Sequence, residues 1–151
     1  MTELQFPSTS GSERQLLNEY LDWYRAAILR KIDGASDEML RARLVPSKTT
    51  LLGIVKHLAW VEIWWFQIVF AGRDVEGYRR DDSDWDWDIA SDETTQGVIE
   101  LYKDACHQSR AIVEEATDLD AVSVRGRRED GKKYNLRRTL IHMIEETARH
   151  A

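Results

Sequence analysis

The chain has 151 residues, 42% hydrophobic and 32% charged, a balance typical of one soluble globular domain. Its formal net charge of −6 excludes the basic stripe that phosphate binding requires, so we expect no nucleic-acid partner. Its single cysteine, Cys106, excludes an intrachain disulfide and favours the reducing cytoplasm, and the N-terminus lacks the pattern of a signal peptide.

The predicted elements begin after a flexible N-terminal arm, residues 1–11, and fill a single domain over residues 12–151. Ser12 is a cap for a first helix that runs to about Ile32, since apolar residues recur at the helical period. A short turn is expected over 37–41. The second helix starts after Thr49 or Thr50 and ends at Gly72. Charged and polar residues interrupt its apolar stretch, which excludes an ordinary membrane span.

A long acidic loop separates this helix from a third, which we place from about Asp92 to Ala116. A polar loop with two glycines follows, and Asn135 caps a fourth helix that continues to the chain end. Alternation typical of a strand is limited to a few residues near 122–124. Four helices of three to six turns predict an all-α fold, a four-helix bundle.

The second helix carries a histidine on its apolar stripe. His57 comes three residues after Ile54 and four before Val61, so it points toward the core. A buried histidine of this kind is either a satisfied core residue or a ligand. Trp60 lies one turn further on, and Trp60 and Val61 are candidates for the wall of a pocket beside it.

The closing sequence IHMIEETARHA places three polar side chains, His142, Glu146 and His150, four residues apart on one helix. On a helical wheel, Glu146 and His150 fall at the edge of the apolar face, whereas His142 falls among charged residues. We therefore expect Glu146 and His150 to reach inward and His142 to look outward.

Two histidines and one carboxylate from facing helices are a ligand set for a divalent metal, with Zn²⁺ preferred and Ni²⁺ or Fe²⁺ as alternatives. His57, Glu146 and His150 would be the ligands, and the cation would neutralise a carboxylate that is costly to bury unpaired. The alternative is that Glu146 pairs with an arginine at the rim and that His150 frays with the terminus. The residues alone leave both interpretations open.

Other polar groups favour structural roles. Cys106 and His107 are adjacent on a helix and so do not face each other, which favours Cys106 as a small core residue. The acidic run lacks the glycine and the glutamate of an EF-hand and is interpreted as a solvated loop. The basic cluster near the glycines is interpreted in the same way. These two runs comprise Asp82, Asp84, Asp86 and Asp88, and Arg125, Arg127, Arg128, Lys132 and Lys133.

The stretches TTLLGIVKHLAWVEIWWF and LIHMIEETARHA together resemble the DinB-like superfamily of four-helix metalloproteins. The chain is most similar to the branch that includes the mycothiol-dependent maleylpyruvate isomerases of actinobacteria. The resemblance implies a metal held by His57, Glu146 and His150, with His142 supporting Glu146 from one turn below. Relatives continue past the last ligand, so we expect this chain to be cut short at its C-terminal end.

The resemblance implies a metal-dependent enzyme that transfers a low-molecular-weight thiol, of the mycothiol type, to an electrophilic small molecule. Its thiol cosubstrate would be activated by the divalent metal. The alternatives are a non-catalytic metal-binding or stress-related bundle, and a plain interaction bundle in which these residues are structural. A homodimer is compatible with the sequence but is not specified by it.

Overall fold

The computed structural model describes residues 5–81 and 83–151. The described chain is mostly helical, at 55%, as predicted, but it also includes a small two-stranded sheet, so the prediction of an all-α fold was wrong in this detail. The elements in chain order are α1 Glu13–Ile32, α2 Asp37–Arg41, α3 Leu51–Glu62, a π-helical segment Ile63–Phe70, α4 Thr95–Glu115, β1 Val122–Gly126, β2 Lys133–Asn135 and α5 Leu136–His150. Helix α3 packs most extensively on α4, and α1 on α5.

Each α-helix begins where a short polar side chain accepts a hydrogen bond from a backbone N–H three residues later. This contact satisfies one of the donors that a helix leaves free at its start. The five caps are Ser12, Ser36, Thr50, Thr94 and Asn135. The third long helix was predicted to start near Asp92, but it starts at Thr95, because the Thr94 hydroxyl caps it.

The second long helix changes its winding partway along. It is α-helical over α3 and then π-helical to Phe70, where the N–H of Ala71 donates to the carbonyl of Phe66 at 2.9 Å. Gly72 ends the segment at φ +69°, in the left-handed region that favours glycine. The predicted end of this helix at Gly72 therefore agrees with the structure, but the change of winding was not predicted.

A buried ion pair lies between two apolar clusters. One cluster includes Ile28 and Ala59, and the other includes Leu21 and Phe66. Between them along the chain stand Arg25 on α1 and Glu62 on α3, joined by two hydrogen bonds of 2.7 Å each. Burial opposes the charge on Arg25, but the Glu62 carboxylate more than offsets it and raises the pKa of Arg25. The pair links the first two long helices.

The segment before α5 is a β-hairpin and not a plain loop, so the loop interpretation of the basic cluster was wrong for part of it. Strands β1 and β2 pair antiparallel, with Val122 opposite Asn135 and an irregularity in the register. The buried Ser123 hydroxyl accepts from the N–H of Tyr134 at 3.0 Å and donates to the carbonyl of Arg125 at 2.6 Å. The many charges near the tip obscured the short alternation of the strand.

No helix among the described residues is long and apolar enough to cross a membrane. Of the N-terminal arm, residues 1–4 lie outside the described residues, as does Asp82 of the acidic run. In the described part of the arm, the Phe6 ring stacks on Trp23 of α1 at 5.3 Å, and the N–H of Ser8 donates to Glu19 at 2.7 Å.

Candidate metal centre

The structure brings together the three predicted ligands from two helices. Nε2 of His57, on α3, lies 3.3 Å from Oε1 of Glu146, and Nε2 of His150 lies 3.7 Å from the same oxygen. One donor atom from each residue falls within 4.8 Å of the others. Ligand atoms around a tetrahedral zinc ion, with bonds of about 2.1 Å, are about 3.4 Å apart. Two of the three separations are therefore close to this value and the third is at most 4.8 Å, so the three residues could hold such an ion after a small adjustment.

The three side chains are mostly buried, with 14% of His57, 14% of Glu146 and 19% of His150 exposed. Burial, aided by the neighbouring His57, lowers the pKa of His150. A lowered pKa keeps this imidazole neutral at physiological pH, and the neutral ring is the form that donates to a metal. The electrostatics of the site therefore favour ligation by His150.

Glu146 also has an arginine neighbour, as the alternative interpretation expected. Nη1 of Arg149 lies 3.8 Å from Oε2 of Glu146, while Arg149 is hydrogen-bonded more closely to Glu145. The Arg149 side chain is 58% exposed, so its pairing with Glu146 is screened by solvent. Within residues 5–81 and 83–151, the carboxylate of Glu146 thus contacts its cationic or potentially cationic neighbours at 3.3 to 3.8 Å, longer than a strong ion pair.

His142 does not join the group and is more exposed than the three candidate ligands, but it does not face solvent as fully as predicted. Its ring packs on Trp65 with the centroids 4.7 Å apart, and only 27% of its side chain is exposed. Burial lowers the pKa of His142, and the charge of Arg138 lowers it further. A helical wheel assigns His142 to the polar face of α5, but it cannot show that Trp65 of the π-helical segment covers this part of the face.

The acidic run is docked on α3, so its interpretation as a solvated loop was wrong for Asp86. Oδ2 of Asp86 lies 2.7 Å from Nδ1 of His57, on the side of the ring away from Glu146. The next residue, Trp87, stacks on the His57 ring at 3.9 Å with 15° between the planes. Trp87 also meets the edge of His150, at 5.6 Å. His57 is thus held on both nitrogens and on one face.

Backbone contacts fix this loop against one side of α3. The carbonyl of Trp87 lies so close to Gly53 that a Cβ there would be 2.5 Å from the oxygen. Nζ of Lys56 donates to the carbonyl of Asp88 at 2.6 Å and pairs with Glu93 at 2.9 Å. Gly53, Lys56 and His57 follow the i, i+3, i+4 pattern of one helix face, so the loop lies along that face.

Aromatic side chains continue the wall beyond His57. Trp60 meets Trp85 edge to face at 4.9 Å, and Tyr78 stacks on Trp64 at 5.0 Å. The indole N–H of Trp60 is buried without a hydrogen-bond partner in the described part of the chain. Val61, the other predicted pocket residue, packs instead against the second apolar cluster. Of the two pocket candidates, only Trp60 shares the face of α3 that the loop covers.

Two further features lie apart from this site. Cys106 is buried beside Tyr102 in the first apolar cluster and is not part of the group of three candidate ligands. Burial raises the pKa of its thiol to about 12, so the interpretation as a core residue agrees with the structure. A cavity of about 1060 Å³ lies between the N-terminal arm and helices α1, α2 and α4. None of the three candidate ligands lines it.

Sequence reasoning missed Asp86 and Trp87. A signal was present, because DWDWD places two tryptophans inside an acidic stretch. Large aromatic side chains in a solvated loop would leave much apolar surface in water, so their presence indicates a segment that docks. The partner of that segment depends on the tertiary structure and is not encoded in local spacing.

Comparison with known proteins gives one family. The family model described as mycothiol-S-transferase matches residues 16–151, which includes every candidate ligand. No curated protein and no solved structure matches the chain. The matching family is DinB-like, as the resemblance of the two helical stretches predicted. The chain therefore belongs to the mycothiol-S-transferase family.

Proposed function

We propose that this protein is a divalent-metal-dependent transferase that joins a low-molecular-weight thiol of the mycothiol type to an electrophilic small molecule. The observation that carries the proposal is the convergence of His57, Glu146 and His150 within 4.8 Å, in a chain of the mycothiol-S-transferase family. We propose Zn²⁺ as the metal, with Ni²⁺ or Fe²⁺ as alternatives, because two imidazoles and one carboxylate suit all three.

In this proposal the three side chains hold the ion and leave room for a further ligand, as three-ligand catalytic sites do. The bound ion would act as a Lewis acid that lowers the pKa of a thiol, so that thiolate is present near neutral pH. In the substitution we propose, the thiol sulfur would bond to an electrophilic carbon of the second substrate while the bond from that carbon to its leaving group, such as a halide, breaks; the halide ion and the thiol proton would both pass to solvent. Glu146 offsets part of the cation charge, and the Trp87 ring shields His57 from water.

The site can be reached from solvent, which supports a catalytic role over a purely structural one. The ligand side chains keep 14–19% of their surface exposed. Trp60 and Trp87 contribute apolar surface on the α3 side. Small-molecule sites commonly combine such aromatic walls with a few converging polar groups. A closed structural metal site would instead have four protein ligands.

The test compares the wild-type protein with His57→Ala and with His107→Ala, a matched control in which an exposed histidine of α4 is removed. Elemental analysis of the purified proteins should give near-stoichiometric metal for the wild type and the control, and little for His57→Ala. Turnover of mycothiol with a fluorogenic bimane electrophile should follow the metal content. Full metal in His57→Ala would refute the ligand set, and metal without thiol turnover would favour the non-catalytic alternative.

Three broader expectations belong to the same proposal. We propose that the long helices form the four-helix bundle of DinB-like proteins, supported by the packing of α3 on α4 and of α1 on α5. We propose a cytoplasmic location, where a thiol cosubstrate stays reduced. We also propose a homodimer, which light scattering during size-exclusion chromatography would distinguish from a monomer.

A further inference from the structure

We propose that Asp86 is a positioning residue, which orients His57 so that Nε2 faces Glu146 and His150. This inference rests on the metal site of the proposed function. Asp86 stands 29 residues after His57, in the loop between the π-helical segment and α4, and its Oδ2 lies 2.7 Å from Nδ1 of His57. On the opposite nitrogen, Nε2 lies 3.3 Å from Oε1 of Glu146. The two carboxylates therefore lie at opposite ends of one imidazole.

The hydrogen bond fixes which nitrogen is available to a metal. An ionised carboxylate only accepts hydrogen bonds, so a hydrogen bond to Asp86 requires Nδ1 of His57 to carry the proton. In the neutral ring, the lone pair is then on Nε2, the atom that faces Glu146. A carboxylate behind a ligating histidine also makes the ring a better donor, and removing such a partner typically weakens metal binding.

Asp86 can act in this way only if the loop that carries it is held in place, and three contacts hold it. The carbonyl of Trp87 packs against Gly53, where no side chain intervenes. The carbonyl of Asp88 accepts from Lys56, whose side chain is only 8% exposed. The Trp87 ring stacks on the imidazole of His57 itself. The carboxylate of Asp86 is accordingly only 22% exposed, unlike a carboxylate on a solvated loop.

The experiment compares Asp86→Asn with Asp88→Asn in the full chain. Both substitutions remove one negative charge from the same loop at nearly constant size. Asp88 is exposed and contributes only its backbone carbonyl to α3, so it controls for the change of charge. Zn²⁺ affinity is measured by competition with a chromophoric chelator. The visible absorption of the Co²⁺-loaded proteins reports the ligand geometry.

Asp86→Asn should weaken Zn²⁺ binding by about 10- to 100-fold and change the Co²⁺ spectrum, as losses of such partners do, while Asp88→Asn should bind within about threefold of wild type. Because an asparagine oxygen could still accept from Nδ1, Asp86→Ala is measured as well, and wild-type affinity with an unchanged spectrum in Asp86→Ala would overturn the proposal. An equal loss in Asp88→Asn would also overturn it, because the loop charge and not the hydrogen bond would then matter.

The result is separable from the proposed function. If His57→Ala keeps the wild-type Zn²⁺ affinity, the ligand set is wrong, and both the transferase and the role of Asp86 fall. If the wild type binds Zn²⁺ tightly but does not turn over mycothiol, the transferase is refuted, while a weakened Asp86→Asn still supports the positioning role. The metal-free variants, Asp86→Asn, Asp86→Ala and Asp88→Asn, must each give the same far-ultraviolet circular dichroism spectrum as the wild type. This control ensures that folded proteins are compared.

Discussion

Substitution of Gly53 by alanine tests whether the acidic loop is docked on α3. In the interior of an exposed helix, glycine to alanine stabilises by about 1 kcal/mol, because alanine loses less backbone freedom on folding. At Gly53 the new Cβ would lie 2.5 Å from the carbonyl oxygen of Trp87. To reach an ordinary contact of 3.4 Å, this carbonyl must retreat by about 0.9 Å.

That retreat acts on two neighbouring contacts of the loop. The carbonyl of Asp88, the next residue in the loop, would move away from the buried Lys56 ammonium and weaken their hydrogen bond. A hydrogen bond to a charged group contributes about 1.5–3 kcal/mol. The stack of Trp87 on His57 would loosen, at about 0.5–1.5 kcal/mol. Subtracting the gain in helix propensity, we expect Gly53→Ala to destabilise the protein by about 1–3.5 kcal/mol.

The chain provides a matched control in Gly97. Gly53 and Gly97 are both the third residue of a helix capped by threonine, and in both a Cβ would lie 3.0 Å from the capping hydroxyl. Only Gly53 has a loop carbonyl over it. Urea denaturation followed by tryptophan fluorescence should therefore show Gly97→Ala unchanged or stabilised by up to about 1 kcal/mol. If Gly53→Ala were as stable as Gly97→Ala, the docked loop would be refuted.

Three further outcomes follow from buried groups. In urea denaturation, Arg25→Met should lower the free energy of unfolding by about 3–5 kcal/mol, because Glu62 is left buried and unpaired. The double variant Arg25→Met/Glu62→Met should recover most of this loss, and a double variant no more stable than the single one would contradict the reasoning. Cys106 should resist a disulfide reagent at pH 8 in the native protein. The pKa of Cys106 is about 12 in the folded protein and about 8.5 in the unfolded chain. The stability that the buried thiol contributes is therefore fully present below about pH 8.5 and is lost as the pH rises from about 8.5 toward 12. Between pH 8 and about 10.5, Cys106→Ala should accordingly lose less stability than the wild type. His142→Gln should bind Zn²⁺ within about threefold of wild type, and a tenfold loss would instead show that His142 contributes to the metal site, as a ligand or as a support of Glu146.

Local spacing was sufficient to predict most of the helices and to select His57, Glu146 and His150 as candidate ligands. Caps such as Thr50 and Asn135 act within one turn, and the apolar period identifies the face that is buried. The position of His57 on the apolar stripe, and of Glu146 and His150 at its edge, therefore followed from the sequence. Whether these three residues bind a metal is a question of chemistry, and that part stays a prediction.

The parts that sequence did not predict depend on contacts between distant segments. Asp86 resembles its neighbours Asp84 and Asp88 in sequence, and only the docking of the loop distinguishes it. The π-helical segment is equally hidden, because seven of its eight residues are apolar, so the hydrophobic pattern gives no sign of a change of winding. In both cases the deciding interaction is tertiary.

One row of side chains on α5, made of His142, Glu146 and His150, has different neighbours at its two ends. The alignment of α5 with α3 and its π-helical extension explains this difference. The two segments run in opposite directions, since His57 meets Glu146 and His150, while Trp65, two turns later, meets His142. The i, i+4 row of α5 is therefore faced by an imidazole at one end and by an indole at the other. A second imidazole converging on a carboxylate can share a cation, whereas an indole offers only a donor N–H and a π face. The face of the partner helix, together with the position of each residue on the wheel of α5, thus separates the two proposed ligands, Glu146 and His150, from His142.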